Sequence, residues 1–387
     1  AGEGVALATT EETQPNLCVA NWQPRSADVV FGPGGGDPLP LNHPLDIAVS
    51  EGRVYVADEF NNRIVVYGMD GAYITSIGGI DEETGSALFN RPNGVAIGPD
   101  GNLYVADTWN YRIVVLTQDG EVITSWGQPG QFGIEAAPAP FDAFWGPRDV
   151  EVDEQGRVYV ADTGNKRIRV YSSDGEYIRD IGSGGSADGQ LDEPTGLALH
   201  PDGRLFVADT WNRRISVFNY DDGQPLYNFP VRGWYDDRGN RPYLALDVER
   251  GLLYVGDPEA GRVLVYDTYG NCIGSFGQAG EELPVASQLN VVGGITTDAS
   301  GNLYASDAQA GRVLRYAPYP SSAMPPAGDN TDAEVTGEVD LESGKMDQTF
   351  EDADAAILET AESSPDTIDR DETELDALED AIGEAVG

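Results

Sequence analysis

The sequence predicts an all-β chain folded as a six-bladed β-propeller with four antiparallel strands per blade. Three observations predict it: a phrase that recurs six times at about 50-residue spacing, four short apolar runs in each repeat, and tight turn signals between those runs. The phrase runs from Val56-Ala57-Asp58 to Asn61, Arg63 and Ile64. It returns at Val105-Ala106-Asp107, Val160-Ala161-Asp162 and Val207-Ala208-Asp209, with Asn and Arg at the same offsets. Weaker copies end at Asp257 and Asp307, so the aspartates step by 49, 55, 47, 48 and 50 residues.

The second repeat shows the elements in order. Val95 to Ile97 is an apolar run, and Pro99-Asp100-Gly101-Asn102 is a turn in which Pro presets φ and Gly accepts φ > 0. Leu103 to Ala106 is a second run, broken by Asp107 to Asn110. Ile113 to Leu116 is a third, followed by the hairpin signal Gln118-Asp119-Gly120. Val122 to Trp126 is the fourth, closed by Gly127. Strands of about five residues leave no length for a helix. A sheet apolar on both faces must stack on both sides, which a ring of six provides.

The last repeat has only three runs before Pro318 and Pro320. An orphan strand, Asp28-Val29-Val30-Phe31-Gly32, aligns with the fourth runs of the other repeats. Residues 27–32 are therefore expected to complete the sixth blade. This divides the chain into an N-terminal extension (1–26), the propeller (27–320) and a tail (321–387). The tail holds 21 acidic and 2 basic residues and almost no aromatics, the composition of a disordered segment. Cys18 precedes the closing strand and Cys272 lies in the fourth strand of the neighbouring fifth blade. A bridge between them would pin the N-terminal segment to the ring; the alternative is one buried and one exposed thiol.

Composition narrows the function. Acidic residues number 66 against 23 basic, a formal net charge of −43, which repels phosphate backbones and anionic lipid. Nucleic acid is thus not an expected partner. No run approaches 18 apolar residues, so membrane insertion is not expected either. The chain begins at Ala1, which fits removal of a signal peptide, and the expected location is extracellular, periplasmic or cell-surface.

The repeats resemble those of the NHL family, with its Pro-Asp-Gly turn, Val-Ala-Asp strand end and Asn-x-Arg-Ile/Val. Pro99 to Thr108 and Pro201 to Thr210 are close copies, and the resemblance spans roughly residues 27–317. It implies a ring in which the loops between second and third strands share one face with the inter-blade loops, usually the binding face. The aspartate and arginine present in every repeat are read as structural, the carboxylate accepting from the following turn and from the arginine.

The positions where repeats differ are the candidate site. Loop tips carry Phe60, Trp109 and Trp211, and the loops entering the first strands carry His43, Arg91, Trp145 with Arg148, and Tyr243. Exposed aromatics and arginines are enriched where proteins bind. The expected function is a binding or scaffold module for a protein, peptide or glycan.

The enzymatic alternatives are tested by inventory. The zinc lyases that the resemblance brings in need several histidines, and only His43 and His200 exist. Gluconolactonase-like propellers hold calcium in the channel. The nearest oxygen donors here, Asp46, Asn93, Asp149 and Asn290, lack the regularity of a ligand set. The expectation is no cofactor and no catalytic residue, with a calcium-dependent lactonase or hydrolase as the alternative.

Overall fold

Six four-stranded antiparallel sheets follow one another along the chain. The computed structural model describes residues 18, 21–32, 36–81, 84–131, 141–234, 241–277 and 288–320. The tail, and most of the N-terminal extension expected before residue 27, lie outside them.

The first blade is Pro44–Ser50, Arg53–Asp58, Arg63–Gly68 and Tyr73–Gly78, and the second Pro92–Ile97, Leu103–Asp107, Arg112–Leu116 and Val122–Trp126. The third comprises Pro147–Val152, Val158–Asp162, Arg167–Tyr171 and Tyr177–Ile181; the fourth, Pro194–His200, Arg204–Asp209, Arg214–Asn219 and Pro225–Pro230. The fifth has Leu244–Asp247, Leu252–Asp257, Arg262–Asp267 and Cys272–Phe276. The sixth has Val292–Thr297, Leu303–Asp307 and Arg312–Tyr316, and its outermost strand is Val29–Phe31.

That last strand pairs antiparallel with Arg312–Tyr316, Val29 opposite Arg315 and Phe31 opposite Val313, so one blade is made from both ends of the ring sequence. The chain just before it is also tied down. Gln23 N donates to Ser275 O at 2.8 Å, Trp22 Nε1 to Gly277 O at 3.0 Å, and Ser275 Oγ to Cys18 O at 2.7 Å. Cys18 and Cys272 form a disulfide, their Cα atoms 5.4 Å apart.

Strand alternation explains the packing. In Arg53–Asp58, Tyr55 and Ala57 point to the second blade, while Val54 and Val56 point to the sixth. Successive side chains take opposite faces, and both faces are apolar, so each is buried only by a neighbour. The core is accordingly six clusters, one at every blade interface. The closing cluster joins Phe31, Tyr304 and Val313 to Ile47, Val56 and Tyr67. Each fully buried side chain of this kind contributes roughly 1.5–3 kcal/mol.

The first strands line a narrow central channel. They approach so closely that a Cβ on Gly94 would sit 2.8 Å from Arg148 O. Two features were not legible in the repeat pattern. Gln128–Pro129 pairs in parallel with Ala143–Phe144, and Ser183–Gly184 with Gln190–Leu191, bracing the second-to-third and third-to-fourth connections.

Candidate functional site at the channel mouth

The repeated aspartate organises one face of the ring. Pro44 pairs with Asp58, so the loop entering the first strand and the loop leaving the second lie side by side. Asp58 Oδ1 accepts the backbone N–H of Asn42 at 2.7 Å, and its Oδ2 accepts from Asn61 Nδ2 at 2.8 Å and Arg63 Nε at 2.6 Å. Asp107 repeats the pattern with Asn90 N, Asn110 and Arg112, and Asp209 with Asp192 N, Asn212 and Arg214. All six aspartates are buried. Burial raises the pKa values of Asp58, Asp162, Asp209 and Asp257, and the arginine and amide hydrogen bonds pull them back down. Among the described residues their partners are internal, as a structural joint requires.

On this frame the residues entering the first strands adopt an unusual backbone. His43, Arg91 and Glu193 each precede a proline and have φ of 58°, 48° and 47°. A residue before proline is ordinarily extended, and a non-glycine residue in the left-handed region costs on the order of 1–3 kcal/mol. The conformation places their backbones at the rim of the channel, and such strain concentrates at binding sites.

Four of the expected residues meet there, and Arg148 joins them through Asn93, whose Nδ2 donates to Arg91 O at 3.1 Å. His43 stacks on Phe60 with ring centroids 4.7 Å apart, and the Arg91 guanidinium lies 5.2 Å from the Phe60 centroid and 5.4 Å from that of Trp109. Arg148 Nη1 donates to Asn93 Oδ1 at 3.3 Å. Phe60 and Trp109 are 44% and 41% exposed, which fits a contact surface rather than a core. Trp145 is 37% exposed and packs on Tyr111; Trp211 is half-buried under Lys166, whose Nζ is 5.8 Å from its ring. Tyr243 is a correction: it is 3% exposed, and its hydroxyl donates to Arg148 O at 3.2 Å, so it supports the mouth from within. The fifth blade's strand begins at Leu244, which draws Tyr243 into the blade interface.

Two residues at the mouth were missed. Glu59 follows Asp58, where the next three repeats have Thr108, Thr163 and Thr210. Thr108 and Thr163 donate to the carbonyls of Pro147 and Pro194 in the following blade. Glu59 instead lies 2.6 Å from His43 Nδ1 and 3.7 Å from Arg241 Nη1. Burial raises its pKa, but the His43 contact and the charges of Arg241 and Arg148 outweigh that and hold it below the usual range. The threonine-to-glutamate break in the repeat was the available signal. Arg241 had none, because its loop differs from the others.

Deeper in, Asp46 and Asp149 latch alternate inner strands. Asp46 accepts the N–H groups of Ile47 (2.8 Å) and, one blade on, Val95 (2.9 Å); Asp149 accepts those of Val150 (2.8 Å) and Leu197 (2.7 Å). With Glu151 they line a channel cavity of about 130 Å³. Burial, then mutual repulsion, raises Asp46 well above the carboxylate range and Glu151 to about 8; burial raises Asp149 to about 7. Calcium takes six to eight oxygen ligands. Here each oxygen of Asp46 and Asp149 already accepts an amide, Asn93 Oδ1 faces a guanidinium, and Asn290 lies in the loop before the sixth blade. Among the described residues no three His, Cys, Asp or Glu side chains are grouped to hold a metal. This donor set does not fit a calcium ion. His200 is remote, at the opposite end of the strand Pro194–His200, paired with Asp202 at 2.8 Å.

The chain matches the NHL repeat at residues 41–67 and 89–116, and the SMP-30/gluconolactonase/LRE-like region at residues 146–286. No curated protein sequence matches it. Among solved structures it is similar to a gluconolactonase from Xanthomonas campestris, with 17% identity and a TM-score of 0.52 over 77% of this chain and 97% of that one. It is also similar to virginiamycin B lyase from Staphylococcus aureus, with 15% identity and a TM-score of 0.48 over 73% and 98%. At such identities the likeness concerns fold. The six recurring aspartate–arginine pairs, the six stacked sheets and the closure by Val29–Phe31 agree with the two matched repeats, and the chain is a six-bladed β-propeller that carries NHL repeats at residues 41–67 and 89–116 and an SMP-30/gluconolactonase/LRE-like region at residues 146–286.

Proposed function

We propose that the propeller is a rigid binding module whose channel-mouth face recognises a protein, peptide or glycan outside the cytosol. The observation that carries this is the gathering of Phe60, Trp109 and Trp145, each more than a third exposed, on one loop face, around backbones held in the left-handed region. Water-exposed aromatics on a pre-formed frame give large contact area at small entropic cost. The Cys18–Cys272 disulfide supports an oxidising compartment.

The test uses glycan and peptide arrays probed with the whole chain and with a Phe60→Ala/Trp109→Ala variant. Both side chains stand at the surface, so the variant should melt within a few degrees of the parent, yet lose array binding at least tenfold. Equal binding by the two proteins would overturn the reading.

A second reading, a hydrolase at the same mouth, is favoured by one contact: the His43 imidazole held 2.6 Å from the buried Glu59 carboxylate, as an oriented base would be. Sugar lactones assayed with and without calcium, using the parent and His43→Ala, decide it. Turnover that His43→Ala abolishes supports the hydrolase; none under any condition removes it.

A further inference from the structure

The chemistry of the mouth narrows what it recognises, on the premise that this face is the binding face. Arg148 and Arg241 are close enough there for each charge to oppose the other. Among the described residues the Arg148 guanidinium hydrogen-bonds to the neutral Asn93 alone, and no carboxylate lies within 4.0 Å of it. Arg241 Nη1 forms a loose ion pair with Glu59 Oε1 at 3.7 Å, His43 Nδ1 stands 2.6 Å from the other oxygen, Oε2, and Arg241 Nε is buried without an acceptor. Burial first, and then repulsion from Arg241, draws Arg148 down to about 10.

A chain with 66 acidic residues had ample means to place a carboxylate on Arg148. Elsewhere in the ring it does so, as with Arg63, which meets both Asp58 and Asp37. A half-buried guanidinium with no carboxylate on it is costly, and a ligand anion is what would complete it. The fork of donors on arginine matches the two oxygens of a planar carboxylate. Around the pair stand Glu59, Asn93 and Glu193, which make the surroundings polar rather than apolar, and Phe60 and Trp109 form an aromatic rim. The site lies on the ring axis with blades on all sides, so a ligand reaches it end-on.

We propose that the channel mouth is a carboxylate-binding site for an acidic sugar, a hexuronate at the end of a glycan, held by Arg148 and Arg241. Titration calorimetry on the whole chain tests this with D-glucuronate, D-glucose, inorganic phosphate and acetyl-Gly-Gly. Glucuronate should bind at least tenfold more tightly than the other three. Arg148→Gln should weaken glucuronate at least tenfold, and Arg148→Lys less so. Arg148→Gln should also raise the melting temperature of the ligand-free protein by a degree or more, because it removes a repelled charge. Should Arg148→Gln fail to fold, Arg241→Gln provides the same comparison of affinities. Glucuronate binding no tighter than glucose, or equal binding of phosphate or the peptide, would overturn the assignment. So would undiminished binding by both glutamine variants. If glucuronate fails while the Phe60→Ala/Trp109→Ala variant still loses array binding, the acidic-sugar assignment falls and the binding module stands. If both fail, the module falls too.

Discussion

Asp107 is fully buried and accepts from Asn90 N, Asn110 and Arg112, which makes it a joint between two loops rather than a reactive group. Removing one partner of such a network leaves the others unpaired in a desolvated place. Asp107→Ala should therefore cost on the order of 3 kcal/mol, read from urea unfolding. Glu151 behaves differently. Its carboxyl lines the channel beside Asp149, and burial followed by that neighbour raises its pKa to about 8. The folded state then holds a proton that the unfolded state has released, so stability is greatest below the unfolded value near 4 and falls as pH rises towards 8. Melting temperature should drop between pH 5 and pH 9. Asp46 and Asp149 are raised too, so Glu151→Gln, which removes one of three titrating groups and none of the hydrogen bonds of the aspartate latches, should make that drop shallower and raise the melting point at pH 9 by several degrees. An unchanged pH profile in the variant would contradict the assignment.

Among the elements, the short outer strand Val29–Phe31 carries more than its length suggests. It completes the sixth sheet, and Phe31 enters the cluster that joins the sixth blade to the first. A chain beginning after Gly32 would expose an edge of that sheet and open the last interface. It should lose most of its cooperative unfolding transition, measured by calorimetry. The segment upstream is held by three kinds of bond to the fifth blade: backbone pairing at Ser275, the Trp22 indole on Gly277, and the disulfide. The disulfide spans 254 residues, and in the chain-entropy account a loop of that size contributes about 5 kcal/mol. Cys18→Ser/Cys272→Ser should lower the urea midpoint markedly and leave mouth-face binding intact, since the clasp sits on the outer edge of the ring.

For the molecule as a whole, the ring is the reason a mouth exists. Each blade buries its faces only against neighbours, so the six interfaces hold the loop tips at fixed separations. The same geometry brings residues distant in sequence to one axis: His43 and Glu59 from the first blade, Asn93 from the second, Arg148 from the third and Arg241 from before the fifth. A cationic centre within a chain of net charge −43 also predicts a salt effect. Binding of an anionic ligand should be less salt-sensitive at this desolvated mouth than exposed ion pairs are, with glucuronate affinity changing less than tenfold between 50 mM and 500 mM sodium chloride.

The number of blades, the strand boundaries and the role of the repeated aspartates were legible in sequence because they depend on local rules: period-two apolar runs, turn residues, and one motif repeated in register. Val122–Trp126 forms a strand at the expected residues, and even the closing strand showed as a run lacking a repeat of its own. The mouth was legible only in part. His43, Arg91 and Arg148 stood out as departures from the repeat, but their neighbours did not: Glu59 hid in a threonine position, Arg241 lay in an irregular loop, and Tyr243 looked exposed until the blade interface covered it. Which charges share a carboxylate, and which are left without one, depends on distances across the channel. Those distances are set by ring closure, and no local pattern in the chain encodes them.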